Sequence, residues 1–580
     1  MFLSPEQKLA GVLAPLFALR GKDDLGIGDL GALREFVHWA ADHGFGIVQL
    51  LPINETGSDN SPYNAISSVA LEPATIETTP EALPDLTPQD FAEITGGAGL
   101  EQLRAGPVVY PLIKALKRDL LARAFQRFLA GTWKRNEARA RQFRAFMKAE
   151  AAWLDGYALF RVLMDRNAGT ERWTSWPPQQ QTLAKARIWL GAQRAALRRE
   201  IEREVRFVMW LQWIAWTQWR AFRLEAASLG VALMGDVPFG VSYYSADVFF
   251  EPKIFDHRWS GGAPPETLFK DDAFTQKWGQ NWGVPLYRWD VLRKRNFDWW
   301  RRRVAKVREI FHLFRIDHVL GFYRIYAFPW RPERNAEFLP LSPEEAMQRT
   351  GGDLPGFREH DDETPAGKAA NRAQGEKLLR VLLEECGEYR LIGEDLGTVP
   401  DYVRPSLLAL HIAGFRVPFW EGDWDQRLRP GDQFDRLSVA TFATHDHEPL
   451  RAMWDRWMRV IAEAERQPKE LGAQRDATWW EVRRLAEWAG FDVPCIQPFE
   501  SVHEKLLCGL FRCNSWLAIL MITDLLGSAQ RFNVPGAMAD SNWSLRMEDS
   551  VARWREDAKL GAKLARVRHA LRETHRLAPR

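Results

Sequence analysis

Acidic side chains recur in this chain at one kind of place, the point where an apolar, β-leaning run stops. Leu313-Phe-Arg-Ile-Asp-His-Val-Leu-Gly-Phe322 runs apolar around Arg315, then offers Asp317 and His318 before bending at Gly321. YRLIGEDLGTVP at 389–400 ends in Glu394 and Asp395, LSVATFATHDHE at 437–448 in His445 and Asp446, and VALMGDVPFGV at 231–241 in Asp236. A carboxylate left alone in an apolar setting is costly or takes up a proton, so each of these acids needs a partner or a task. Arg315 lies two residues before Asp317, on the same face of a strand, and can partner it. A structural Arg/Asp pair is the plain alternative.

Three kinds of chemistry fit such residues. Asp317 and Glu394 at strand ends suit an acetal, where one protonated acid assists the leaving group and an ionised one stabilises the anomeric carbon. Asp236, His318, His445, Asp446 and His447 could instead surround a metal ion in a hydrolase, but the sequence has no H-E-x-x-H, no H-x-H on a first strand and no EF-hand spacing. Glucan binding by aromatics alone, without catalysis, would leave the repeated acids without a task.

The elements that must position these residues alternate. The helix-like LGALREFVHWAADHG precedes GIVQLLP at 46–52, a buried strand that leads into INETGSDNSPYNAISS. From about 86 to 225 the pattern is helical, and its alternating charges mark solvated faces, so a helical insertion is expected there. Within it Trp210, Trp213, Trp216 and Trp219 recur every third residue, a spacing that reads as core packing. The Gly-, Pro- and Trp-rich stretch at 251–290 is expected to be a mobile active-site loop, and 331–370 an irregular excursion. GFRVPFW at 414–420 supplies a further apolar run. Strands alternating with helices, with acids at the strand ends, predict an α/β fold: a single (β/α)8 TIM barrel over 1–580 with large, mainly helical insertions. A doubly wound open sheet is the alternative, but no G-x-G-x-x-G or Walker phosphate loop is present.

The totals narrow the partners. A chain of 580 residues with 78 basic and 76 acidic side chains carries a formal charge of +2, which argues against nucleic acid as a partner. Its four cysteines form no Cys-x-x-Cys, the opening stretch has no basic n-region followed by an apolar core, and no run is long enough to cross a membrane. The expectation is a soluble, cytoplasmic protein. The 27 Trp are compatible with sugar binding, since flat amphipathic rings match the C–H faces of pyranoses.

LGIGDLG at 25–31, SPYNAIS at 61–67, GDVPFGVSYYSADV at 235–248, GQNWGVPLYRW at 279–289, FRIDHVLGF at 314–322, IGEDLGTVP at 392–400, THDHE at 444–448 and QRFNVPG at 530–536 stand in an order that resembles the 4-α-glucanotransferases, the amylomaltase or disproportionating-enzyme family of glycoside hydrolase family 77. The resemblance implies Asp317 as nucleophile, Glu394 as general acid/base and Asp446 as transition-state stabiliser. Arg315 would orient the nucleophile, and His445, Asp236, Tyr63, Ser61, Trp282, Pro264, Gln530 and Asn533 would contact sugars. It implies transfer between α-1,4-glucans, from maltose and maltooligosaccharides to larger chains or glucose, without metal or organic cofactor. An amylase-like hydrolase is the enzymatic alternative. Two departures stand out: His447-Glu448-Pro449 follows Asp446 where the family most often has Asn-Asp-Thr, and IVQLLPINETG at 47–57 lacks the usual aromatics.

Overall fold

In the computed structural model, which describes residues 3–266, 272–360, 362–422, 427–535 and 541–578, eight parallel strands close into a barrel among the described residues. They are β1 (Leu9–Leu13), β2 (Ile47–Gln49), β3 (Ala232–Val237), β4 (Leu313–Ile316), β5 (Leu391–Gly393), β6 (Ala413–Arg416), β7 (Ser438–Ala440) and β8 (Leu517–Met521). Each strand pairs with the next, and β8 pairs back to β1. Every residue of these strands is buried. Burial on both faces is why they read as continuous apolar runs rather than alternating ones. The fold is the (β/α)8 barrel the sequence predicts, with helices between the strands.

Register brings the acids to one rim. Asp236 of β3 sits opposite Arg315 of β4, and Ile316 opposite Gly393 of β5. The ladder continues one residue further, with Asp317 N–H donating to Val237 O and Glu394 N–H to Ile316 O, both at 3.0 Å. Asp317 and Glu394 therefore leave the barrel at the same height, at the C-terminal end where barrels of this type hold their sites. The third acid arrives differently. β7 stops at Ala440, earlier than the apolar run suggests, because Thr441 Oγ1 donates to Ala443 O at 2.8 Å and turns the chain. Asp446 thus lies on a loop beyond the strand.

The helical region between β2 and β3 packs through aromatics. Trp210, Trp213, Trp216 and Trp219 lie on the long helix Ala195–Ser228 and are buried. Trp213 meets Phe128 and Phe143 from two other helices at ring distances of 5.7 and 5.4 Å. The stripe is core, as its spacing predicts.

The 251–290 segment differs from a loop. It contributes strands Phe255–Ala263 and Gln280–Tyr287 to an antiparallel sheet completed by Ile325–Phe328 and Gly356–Arg358. Its partners lie far away in sequence, as in Ser260 against Phe328, so local composition does not show them. A Cβ at Gly262 would lie 1.9 Å from Gln280 O, so the glycines that look like loop residues are what allow the two strands to approach. Residues 267–271 of this segment lie outside the described residues, as do residue 361 of the 331–370 excursion and residue 536 of QRFNVPG. The excursion itself holds a helix, Pro343–Thr350, and the short strand Gly356–Arg358.

Candidate active site

Arg315 is the hub of the rim. Its guanidinium places Nη1 2.6 Å from Asp236 Oδ2 and Nη2 2.8 Å from Asp317 Oδ1, with Glu394 Oε2 3.9 Å from the same Nη2. A planar fork can span several acids in this way, where a lysine ammonium would act as a point charge. Two oxygens reached from one nitrogen can be no further apart than the sum of those two distances. That places the nearest oxygens of Asp317 and Glu394 below all but the lower edge of the about 6.5–9.5 Å separation of inverting glycosidases.

Environment separates the two carboxyls. The Asp317 side chain is 31% exposed and that of Glu394 13%. Burial, reinforced by the nearby Asp317 charge, raises Glu394 to about 7 against the pull of Arg315 and of a hydrogen bond from His318 N–H at 2.8 Å. Glu394 therefore holds a proton near neutrality. His318 reaches this position with a left-handed backbone, φ 47° and ψ 56°, uncommon for a residue with a side chain. Its ring is steadied by Trp282 and Phe239, with centroids 4.8 and 6.4 Å away.

A second chain of contacts leads to Asp446. Tyr63 Oη donates to Asp236 Oδ2 at 2.8 Å, lies 3.3 Å from His445 Nδ1, and its ring stacks on the His445 imidazole at 4.8 Å. His445 Nε2 is 3.2 Å from Asp446 Oδ2, and Asn533 Nδ2 donates to Asp446 Oδ1 at 2.6 Å. Burial alone would lower His445 and raise Asp446. Their mutual attraction outweighs it, raising the imidazole and holding the Asp446 carboxyl well below the usual carboxylate range. Asp446 is thus an ionised acid with one side tied to the protein.

Other residues named from the sequence take varied places. Asp236 is only 1% exposed in its side chain and faces Arg315 and Tyr63 from behind. Ser61 Oγ accepts from Tyr63 N–H at 3.3 Å, fixing the turn that delivers the tyrosine. Trp282 is 39% exposed beside His318, and Pro264 follows the strand Phe255–Ala263 and packs near Gly279. Gln530 Nε2 donates to Arg546 O at 2.6 Å. Sequence reasoning missed Arg531, which donates from Nε to Asn533 O at 2.7 Å and from Nη2 to Asp446 O, clamping the Asp446 loop. It also missed Trp420, 47% exposed against His447, and the N–H of His318. The aromatic in GFRVPFW was the only available signal for Trp420.

A closed α/β barrel that gathers an open carboxylate, a proton-holding carboxyl and a third ionised acid at its C-terminal rim defines an enzyme acting on glycosidic bonds. The family model described as 4-alpha-glucanotransferase matches residues 14–552, and the chain belongs to that family, glycoside hydrolase family 77. It is 30% identical over 529 residues to the 4-alpha-glucanotransferase of Thermus thermophilus, covering 90% of this chain and 91% of that one. It is 28% identical over 554 residues to that of Chlamydia caviae, covering 93% and 91%. The fold matches the amylomaltase from Streptococcus agalactiae in complex with acarbose with a TM-score of 0.72, at 22% identity over 98% of this chain and all of the other.

Proposed function

We propose that Asp317, Glu394 and Asp446 carry out the glucan transfer of this 4-alpha-glucanotransferase by a retaining double displacement. Asp317 attacks C1 of an α-1,4-linked glucose unit while Glu394 gives its proton to the departing oxygen, and the glycosidic bond breaks as a β-linked glucosyl ester forms. Glu394, now a carboxylate, removes the proton from the 4-hydroxyl of an incoming glucan. That oxygen displaces Asp317 and restores the α-linkage. Asp446 holds ring hydroxyls as the sugar flattens, and Tyr63, His445 and Asn533 keep it placed. No metal or organic cofactor enters these steps.

One observation carries the reading. A single guanidinium touches Asp317, lies 3.9 Å from Glu394, and leaves Glu394 raised to about 7, so that nucleophile and proton donor differ in charge at close range. The substrates are maltooligosaccharides, with maltose, glucose or larger α-1,4-glucans as partners, in cytoplasmic starch and glycogen metabolism. The antiparallel sheet bearing Trp282, with Pro264 just beyond its strand Phe255–Ala263, acts as a cover that favours a sugar acceptor over water.

Incubation with maltotriose tests the reading. Wild type is expected to give longer maltooligosaccharides with a constant number of reducing ends, and Asp317→Asn to lose about 10³-fold or more of that rate. Rising reducing ends without longer products would make the chain a hydrolase, and near wild-type transfer by Asp317→Asn would remove Asp317 from the nucleophile's role.

A further inference from the structure

His447 follows Asp446 directly, and its surroundings fix its chemistry. The Thr444 backbone N–H, which can only donate, points at His447 Nδ1 at 3.3 Å, and the Thr444 hydroxyl lies 2.8 Å from the same nitrogen. Nδ1 therefore carries a lone pair and the ring proton sits on Nε2. Burial depresses this imidazole to about 4, so the neutral donor form persists at working pH. Nε2 has no partner among the described residues, and His447 is half-buried rather than enclosed. A ring held in one tautomer with its remaining N–H left free is set up to meet something outside the protein.

Trp420 supplies a surface beside it. This side chain ends the short helical turn Pro418–Trp420 after β6, is 47% exposed, and has its ring 4.8 Å from that of His447 at 59°. β6 stands between β5, which delivers Glu394, and β7, which leads to Asp446. The other exposed Trp/His pair, Trp282 on His318, stands beside the nucleophile. One aromatic platform thus serves the Asp317 side of the rim and the other the edge between Glu394 and Asp446.

We infer that His447 is a specificity-determining residue for the acceptor, donating a hydrogen bond from Nε2 to a hydroxyl of the incoming sugar while that sugar rests on Trp420. The inference rests on the transfer mechanism proposed above, in which Glu394 activates the acceptor hydroxyl on this same edge. Aromatic stacking with one directed donor is the usual combination for binding a pyranose, whose faces are apolar and whose rim is polar.

The test uses the full chain with maltotriose as donor and labelled glucose as acceptor over a range of concentrations. His447→Phe keeps a ring against Trp420 and removes the donor; His447→Gln restores an N–H at a similar reach. The Phe variant is expected to raise the acceptor KM about five- to tenfold with kcat changed by less than about twofold, as for loss of one neutral hydrogen bond, and the Gln variant to recover most of it. An acceptor KM within about twofold of wild type for His447→Phe, or a Gln variant as impaired as Phe, would overturn the inference. If the Phe variant melts early, Trp420→Ala decides, since the same rise in acceptor KM is expected there and its absence counts against the subsite. Wild type that incorporates no label would overturn the transfer reading itself and this inference with it.

Discussion

One arginine sets the character of the site at the scale of single residues. Arg315 is 5% exposed and bound to Asp236, which is 1% exposed, so removing the cation leaves a buried acid unpaired. Arg315→Met is expected to cost about 3–5 kcal/mol of stability, readable as a fall in melting temperature, together with loss of transfer. Glu394 titrates in the opposite sense from a salt-bridged acid. Its folded value is raised from 4.5 to about 7, so its contribution to stability is fully present below about pH 4.5 and is lost as pH rises through about 7. Glu394→Gln, neutral at every pH, is expected to melt with wild type near pH 4.5 and above it by about 1–3 kcal/mol at pH 8.5. Equal stability at both pH values would contradict a proton held by Glu394. In wild type, transfer is expected to decline above about pH 7 as the acid form empties.

Elements decide what these residues meet. The sheet formed by Phe255–Ala263, Gln280–Tyr287, Ile325–Phe328 and Gly356–Arg358 brings Trp282 to His318, the residue next to Asp317. Trp282→Ala is expected to shift the products of maltotriose toward hydrolysis roughly fivefold, measured as reducing ends gained per transfer event, because a shorter side chain admits water to the intermediate. The acids at strand ends were legible in the sequence for a simple reason. Asp317 and Glu394 each follow directly on a short buried strand, Leu313–Ile316 and Leu391–Gly393, and an acid that closes such a run is recognisable in the sequence. Asp446 departs from the strand-end position that LSVATFATHDHE suggests, because Thr441, Phe442 and Ala443 look like strand but turn away, with Thr441 Oγ1 donating to Ala443 O. Pairing between distant strands, as in Tyr326 with Phe357, leaves no local trace, so the sequence of this sheet looks like loop. β1 and β8, Leu9–Leu13 and Leu517–Met521, carry no acid, so nothing in them points to the rim.

Across the whole molecule, stability and chemistry are supported by different parts. Trp213 is 6% exposed and packs between Phe128 and Phe143 in the helices that flank the barrel. Trp213→Ala is expected to lower stability by about 3–5 kcal/mol while leaving kcat/KM of the folded enzyme unchanged, which melting curves and initial rates on the same sample would show. A parallel fall in kcat/KM would mean that the helical region reaches the site. Tryptophan number alone suggests sugar binding, yet much of that number is spent in packing: Trp39, Trp210, Trp216, Trp219, Trp299, Trp300, Trp454 and Trp516 are all nearly fully buried. Of the exposed tryptophans, Trp282 and Trp420 stand beside the acids, whereas Trp480 lies on the helix Pro468–Trp488.

The peptide unit between Asp317 and His318 has a role of its own in this plan. Asp317 carries one carboxyl of the rim, and the N–H of the next residue holds another, that of Glu394. A peptide group is planar and of fixed length. It therefore fixes where the N–H that holds Glu394 stands relative to the Asp317 backbone, while the side-chain torsions of Asp317 and Glu394 and the hydrogen bond itself set the remaining distance between the two carboxyls.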